Sequence, residues 1–244
     1  MTIWPEPRLL PCGDRAVSVE LGDEVNREVN ARILALEYLL QQRRLPGVGE
    51  TVPSYRALLV YYDPLEIDYE TLGATLRELC AEARPEVLPP ARTVELPCCY
   101  EGELGFELEA AAEKLGLVPA EVVRLHAAAD YYVYFVGFTP GLPYMTGMPD
   151  RLTIPRLQNP RTRTPPGSVS IGGVQCCIYS VESPGGFWVL GRTPVRLYDP
   201  DAPDPILLRA GDHVCFRAIG RAEYDAIAAR VETGRYAPRI SGAA

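Results

Sequence analysis

From residue 131 onward the chain is cut into short runs by glycine, proline and aspartate, and this punctuation restricts its fold more than any other feature. Residues 131–138 alternate aromatic and aliphatic side chains. Segments 169–171, 176–180, 187–190, 195–198 and 213–218 follow as short extended runs between turns. Chains built this way close into all-β barrels or sandwiches, because strands too short to form a wide sheet must protect their edges by curling. Two helical patterns at 107–115 and 120–129 precede these strands. A last helix at 222–231 is followed by a polar, Gly/Ala-rich tail expected to be mobile.

The first part of the chain has a different rhythm. Residues 17–21 alternate as a half-buried strand. Val25, Val29, Ile33, Leu36 and Leu40 then recur at helical spacing, with Asp23 as the expected cap. Extended segments at 50–54 and 56–62 end at Asp63-Pro64, since a residue before proline avoids the helical region. A second helix begins near Asp68 with Leu72, Leu76, Leu79 and Ala83 on its buried stripe, and a strand at 93–99 follows. The order is βαββαβ, the split βαβ arrangement of a ferredoxin-like domain. The expected class is therefore α+β, with a ferredoxin-like domain over 1–92 and a closed or sandwiched β domain over 93–244.

Charge and composition exclude several functions. A net charge of −8 without a basic run is the opposite of a nucleic-acid footprint. No run of about 18 apolar residues spans a membrane, and the start, MTIWPEPRLLPCGDR, lacks the pattern of a signal peptide, so the cytoplasm is expected. Seven cysteines are an odd number in a chain too long to need staples, which points to reduced thiols. Cys98-Cys99 and Cys176-Cys177 fall on extended segments, where neighbours point to opposite faces and neither pair suits one metal ion. Lys114 is the only lysine, so an anion must be held by arginine or by backbone amides.

No glycine-rich phosphate loop and no dinucleotide fingerprint is present. His126 and His213 lack metal-ligand spacing, and no metal site is expected from them. His126 shares a helix side with Val122 and Val123, and is either a core histidine or a catalytic one. The segment 136–147 mixes aromatics with turn residues, and Gly141 and Tyr144 stand out in it because backbone there can approach a ligand closely. Arg151, Arg156, Arg161 and Arg163 follow, although a solvated loop would look the same. Gly185-Gly186 offers consecutive amides to an anion. Glu182 beside it is a Mg²⁺ ligand, a general base or a turn carboxylate. These residues indicate an anionic small molecule without naming a reaction.

Several separated motifs carry a resemblance. Residues 137–144 (GFTPGLPY), 160–169 (PRTRTPPGSV), 182–187 (ESPGGF) and 191–194 (GRTP), with Gly13-Asp14-Arg15-Ala16, 51–56 and Tyr62-Asp63-Pro64, resemble the family of 5-oxoprolinase B subunits. That family also covers allophanate hydrolase subunit 1 and the sporulation kinase inhibitor. The chain departs from its pattern at Phe106-Glu107, where Pro and Asp are usual, and at Cys176-Cys177.

The resemblance implies a ferredoxin-like domain followed by a cyclophilin-like barrel, and a hydrolase component active only with partners. These are the C and A subunits of a hetero-oligomer that opens 5-oxo-L-proline to L-glutamate while cleaving ATP, with ATP and Mg²⁺ shared with the partner. The catalytic candidates are Glu182 and His126, and the substrate- or ATP-binding candidates are Arg161, Arg163, Gln175, Arg192, Tyr144, Gly141, Gly185 and Gly186. Removal of Arg161 is expected to stop turnover with the fold intact. The alternatives are action on allophanate, or inhibition of a histidine kinase through an apolar surface.

Overall fold

The computed structural model describes residues 3–242. It divides into two compact units, one ending at Pro90 and one beginning at Ala91.

The first unit runs β1 (Ile3–Pro11), β2 (Ala16–Gly22), α1 (Arg27–Arg43), β3 (Val48–Pro53), β4 (Ala57–Tyr62) and α2 (Tyr69–Glu82). The strands form one antiparallel sheet in the order β1-β2-β4-β3. Alternation turns Val17, Val19, Leu21, Leu58 and Val60 to one face, where they meet Ile33, Leu36 and Leu40 of α1 and Leu72, Leu76 and Leu79 of α2. α2 begins beside Asp68 as expected, and Asp68 caps it, its carboxylate accepting from the Thr71 amide at 2.8 Å. Asn26, not Asp23, caps α1 by accepting from the Glu28 amide at 2.7 Å. Val25 thus lies ahead of the helix and stays exposed.

The expected βαββαβ order is corrected to ββαββα. β1 pairs with β2 at the edge that the final strand of a split βαβ fold would occupy, and the strand at 93–99 goes to the second unit. Pro5, Pro7 and Pro11 hid β1 from a reading based on alternation. Proline is tolerated on an edge strand because a donor missing from the outer side breaks no ladder.

The second unit comprises β5 (Thr93–Cys99), α3 (Leu108–Leu115), α4 (Pro119–Ala127), β6 (Asp130–Val136), β7 (Pro143–Thr146), β8 (Arg161–Thr164), β9 (Ser168–Gly172), β10 (Gln175–Ile178), β11 (Ser183–Gly185), β12 (Trp188–Arg192), β13 (His213–Ile219), α5 (Arg221–Glu232) and β14 (Arg239–Ser241). Strands in the order β12-β9-β10-β7-β6-β13-β5 form a ring that closes where Arg192 of β12 pairs with Cys99 of β5. The β5–β13 pair is parallel and the other ring pairs are antiparallel. Closure removes the free edges that short strands would expose. β8 and β11 form a separate two-stranded flap.

Val94, Leu96, Val133, Met145, Val169, Ile171, Cys176 and Ile178 fill the barrel, together with Ala111 and Ala112 of α3 and Val122 of α4. Segment 195–198 is not a strand. Pro194 and Pro200 bracket it, and it makes a single bridge, Tyr198 to Ile206, while Val195 and Leu197 still bury in the core. The tail is also corrected: β14 pairs with the start of β5, from Thr93 to Glu95. Among the described residues no helix is long and apolar enough to cross a membrane.

Candidate functional site

A cleft of about 250 Å³ opens on the outer side of the barrel beside the β8–β11 flap. Its floor comes from strand alternation. Cys176 points into the barrel, so Cys177 points out, and Tyr179 two residues on shares its side. Tyr144 of β7 lies next to Cys177 in register and stacks on Phe135 at 4.5 Å. Leu142 and Phe187 complete the apolar lining. Burial pushes the Cys177 thiol far up and Tyr179 up to about 12, so both stay neutral at ordinary pH.

The rim is built by turns. Phe138 has a φ of 67°, a left-handed value that costs an aromatic residue energy, and the residue is 66% exposed at the mouth of the cleft. Gly141 takes φ 77° so that the loop can return, and the Gly137 amide donates to Leu142 at 3.0 Å. Ser180 anchors this loop by donating to the Pro140 carbonyl at 2.5 Å. Arg156 supplies the charge. Its guanidinium lies 4.6 Å from the Phe187 ring centre and donates to Gln175 Oε1 at 3.0 Å.

Of the residues singled out in the sequence, Tyr144, Gly185 and Gly186 line this cleft, and Gln175 positions the arginine beside it. Gly141 shapes the loop that forms one wall. Gly185 is required by contact rather than by conformation, since a Cβ there would sit 2.0 Å from the Tyr179 hydroxyl oxygen. Gly185→Ala is expected to cost about 1–3 kcal/mol by overpacking. In a Tyr179→Leu background, urea unfolding should show a smaller cost. An equal cost in both backgrounds would mean that this contact is not its source.

Arg161 is not an open anion site. It donates to Glu107 Oε1 at 2.5 Å, to the Phe187 carbonyl at 2.6 Å and to Thr164 Oγ1 at 3.4 Å, so all three guanidinium nitrogens are engaged. Glu107 also accepts from the Val189 amide at 2.7 Å. The pair therefore ties the flap to β12. Glu182 and Arg163 pair with each other at 2.9 Å on an exposed part of the flap. Such a pair adds little to stability, but it leaves two opposite charges accessible.

His126 does not join the site. It is fully buried, its Nδ1 2.9 Å from the Tyr100 hydroxyl and its Nε2 3.7 Å from Cys176 Sγ, with Phe216 against the ring. The helical spacing that placed it with Val122 pointed it inward, and a catalytic role is set aside because no substrate reaches it. Arg192 also lies apart, beside Ser168 and Tyr224. His213 pairs with Asp130 at 2.9 Å on the barrel surface.

Sequence reasoning missed Tyr179, Cys177, Phe187 and Glu107. The i, i+2 spacing of Cys177 and Tyr179 was the available signal. No local signal links Glu107 to a flap more than fifty residues away. Among the described residues no group of three or more His, Cys, Asp or Glu side chains could hold a metal ion.

Residues 7–208 match the family described as carboxyltransferase domain, subdomain C and D. The chain is 37% identical to the 5-oxoprolinase B subunit of Bacillus subtilis (strain 168), over 88% of this chain and 93% of that protein. The solved structure of TTHA0988 superposes with a TM-score of 0.74 at 38% identity, covering 84% of this chain and 40% of that one. This chain thus spans less than half the length of TTHA0988. The K. lactis urea amidolyase superposes with a TM-score of 0.81 over 99% of this chain and 16% of its own, at 22% identity, a likeness of fold alone.

Proposed function

The chain belongs to the family of carboxyltransferase-domain subdomains C and D, which includes the 5-oxoprolinase B subunits, and from that membership we propose that it is the B subunit of an ATP-dependent 5-oxoprolinase. It opens the lactam of 5-oxo-L-proline to L-glutamate only when assembled with its partners, the C and A subunits. The barrel is of the cyclophilin-like kind. Seven free cysteines fit the reducing cytoplasm.

The observation that carries the reading is one cation in an apolar cleft. 5-Oxoproline is a small ring with a carboxylate on one side and a lactam on the other. Leu142, Tyr144 and Phe187 offer apolar surface to the ring, and Arg156 offers a forked donor to the carboxylate. Phe138 stands at the mouth, where it shields the bound lactam from water. A lactam carbonyl is a poor electrophile, and phosphorylation of its oxygen by ATP makes the ring open more readily. This chain's part is to hold and orient the ring.

The residues do not fit a resident Mg²⁺. Glu182 lies on the exposed flap beside the Arg163 cation, and the described residues bring no carboxylate cluster to the cleft. The nucleotide and its cation are therefore assigned to the partner's share.

The test is phosphate release by the assembled complex with ATP and Mg²⁺, with and without 5-oxo-L-proline. Substrate-dependent turnover is expected. Turnover with allophanate instead would replace the substrate, and recovery of a histidine kinase without turnover would replace the enzyme reading altogether. Within the active complex, Arg156→Met is expected to lower kcat/KM by about 10- to 100-fold, the worth of one charged hydrogen bond. The melting temperature should hold, because the side chain is exposed. An unchanged kcat/KM would remove the cleft from substrate binding.

A further inference from the structure

Two phenol hydroxyls, those of Tyr144 and Tyr179, line the cleft together with the Arg156 guanidinium. Tyr144 is only partly buried, so its hydroxyl keeps access to water. Tyr179 is 3% exposed. Its oxygen accepts a hydrogen bond from the Phe187 backbone amide, and among the described residues no acceptor for its own proton is within hydrogen-bond reach.

The phenol is also held in place. Arg161 fixes the carbonyl of the same Phe187 at 2.6 Å, and β11 passes so close that a Cβ on Gly185 would meet the Tyr179 hydroxyl oxygen at 2.0 Å. The ring therefore cannot swing out to find water. Burial keeps the proton on the oxygen at every working pH. A buried hydroxyl proton without an acceptor is costly, and a ligand that brings an acceptor into the cleft relieves that cost.

Phe187 relates this donor to the cation. The Arg156 guanidinium lies 4.6 Å from its ring centre, while the Tyr179 oxygen meets its backbone amide. One residue thus separates a guanidinium from a phenol, a span suited to a small molecule with an anionic end and a carbonyl end. We propose that the Tyr179 hydroxyl donates to the lactam carbonyl of the ring whose carboxylate Arg156 holds, and so selects rings that carry a carbonyl. This rests on the reading of the cleft as the 5-oxo-L-proline site, and adds the residue that tells the lactam from a plain ring. A carbonyl oxygen has two lone pairs, so accepting from Tyr179 orients the lactam and leaves the second lone pair open.

The test is calorimetric titration of the assembled complex, without nucleotide, with 5-oxo-L-proline and separately with cyclopentanecarboxylate. The second ligand keeps the ring size and the carboxylate but lacks the lactam. Wild type is expected to bind 5-oxo-L-proline about tenfold more tightly, since the plain ring leaves the Tyr179 donor stranded. Tyr179→Phe should erase that preference by weakening 5-oxo-L-proline alone, because the carboxylate contact and the apolar lining remain. Arg156→Met should weaken both ligands alike.

Equal affinities in wild type, or a preference that survives Tyr179→Phe, would overturn the proposal, and weakening of both ligands by Arg156→Met would still keep the cleft as the carboxylate site. Equal weakening of both ligands by Tyr179→Phe would make the phenol a support for the cleft wall, and would overturn the proposal as well. If neither ligand binds, or neither substitution changes binding, the cleft is not the substrate site and both readings fall.

Discussion

Glu107→Ala is expected to lower the stability of the chain by about 2–3 kcal/mol, the cost of leaving the hydrogen-bonded cation of a partly buried ion pair without its partner. Arg161 and Glu107 are only 18% and 17% exposed in their side chains, so water screens them weakly. Two further groups lose a partner in the variant. The Val189 amide loses its acceptor, and the guanidinium that holds the Phe187 carbonyl loses its counter-ion. Urea unfolding of Glu107→Ala, Arg161→Ala and the double variant measures the coupling directly. The double variant should lose less than the sum, because removing both charges leaves none stranded. A loss under about 1 kcal/mol in Glu107→Ala would place the pair with ordinary solvated surface bridges. The same geometry changes what Arg161→Ala reports. Expected from the sequence to be a clean activity variant, it should also loosen the flap, and loss of turnover alone would not make Arg161 a substrate ligand.

Acid should destabilise the barrel through His126. Burial holds its folded pKa down to about 3, against an ordinary value near 6.5, so the imidazole is neutral in the folded chain at every working pH. Between those values the unfolded chain binds a proton that the folded chain rejects. The contribution is therefore fully present above pH 6.5 and is lost progressively as pH falls toward 3, by on the order of 5 kcal/mol in total. Stability measured from pH 7 to pH 4 in wild type and in His126→Asn tests this. Asparagine keeps an acceptor for the Tyr100 hydroxyl but does not titrate, so the acid-dependent loss should shrink by about 1.4 kcal/mol per pH unit in that window. An identical slope in the two proteins would move its origin to the carboxylates.

Much of the architecture is legible from the sequence because periodicity encodes which side of an element is buried. The α2 stripe, its start near Asp68, the 93–99 strand and the opposite faces of Cys176 and Cys177 follow from spacing alone. Steric and solvation preferences act between near neighbours there and need no tertiary information. β1 escaped because proline removes the alternation that marks a strand, and the flap strands β8 and β11 escaped because they are short and polar.

The functional residues divide along the same line. The sequence by itself determined that glycine turns, aromatics and arginines collect between residues 136 and 192, since composition is local. Only the tertiary structure decided which arginine does what. Arg161 is consumed by a glutamate more than fifty positions away, Arg163 faces Glu182 on the exposed flap, and Arg156 is left at the mouth of an apolar cleft. A charge acquires its role from the charges and the dielectric around it, and both are set by residues distant in the chain that folding brings within a few ångströms.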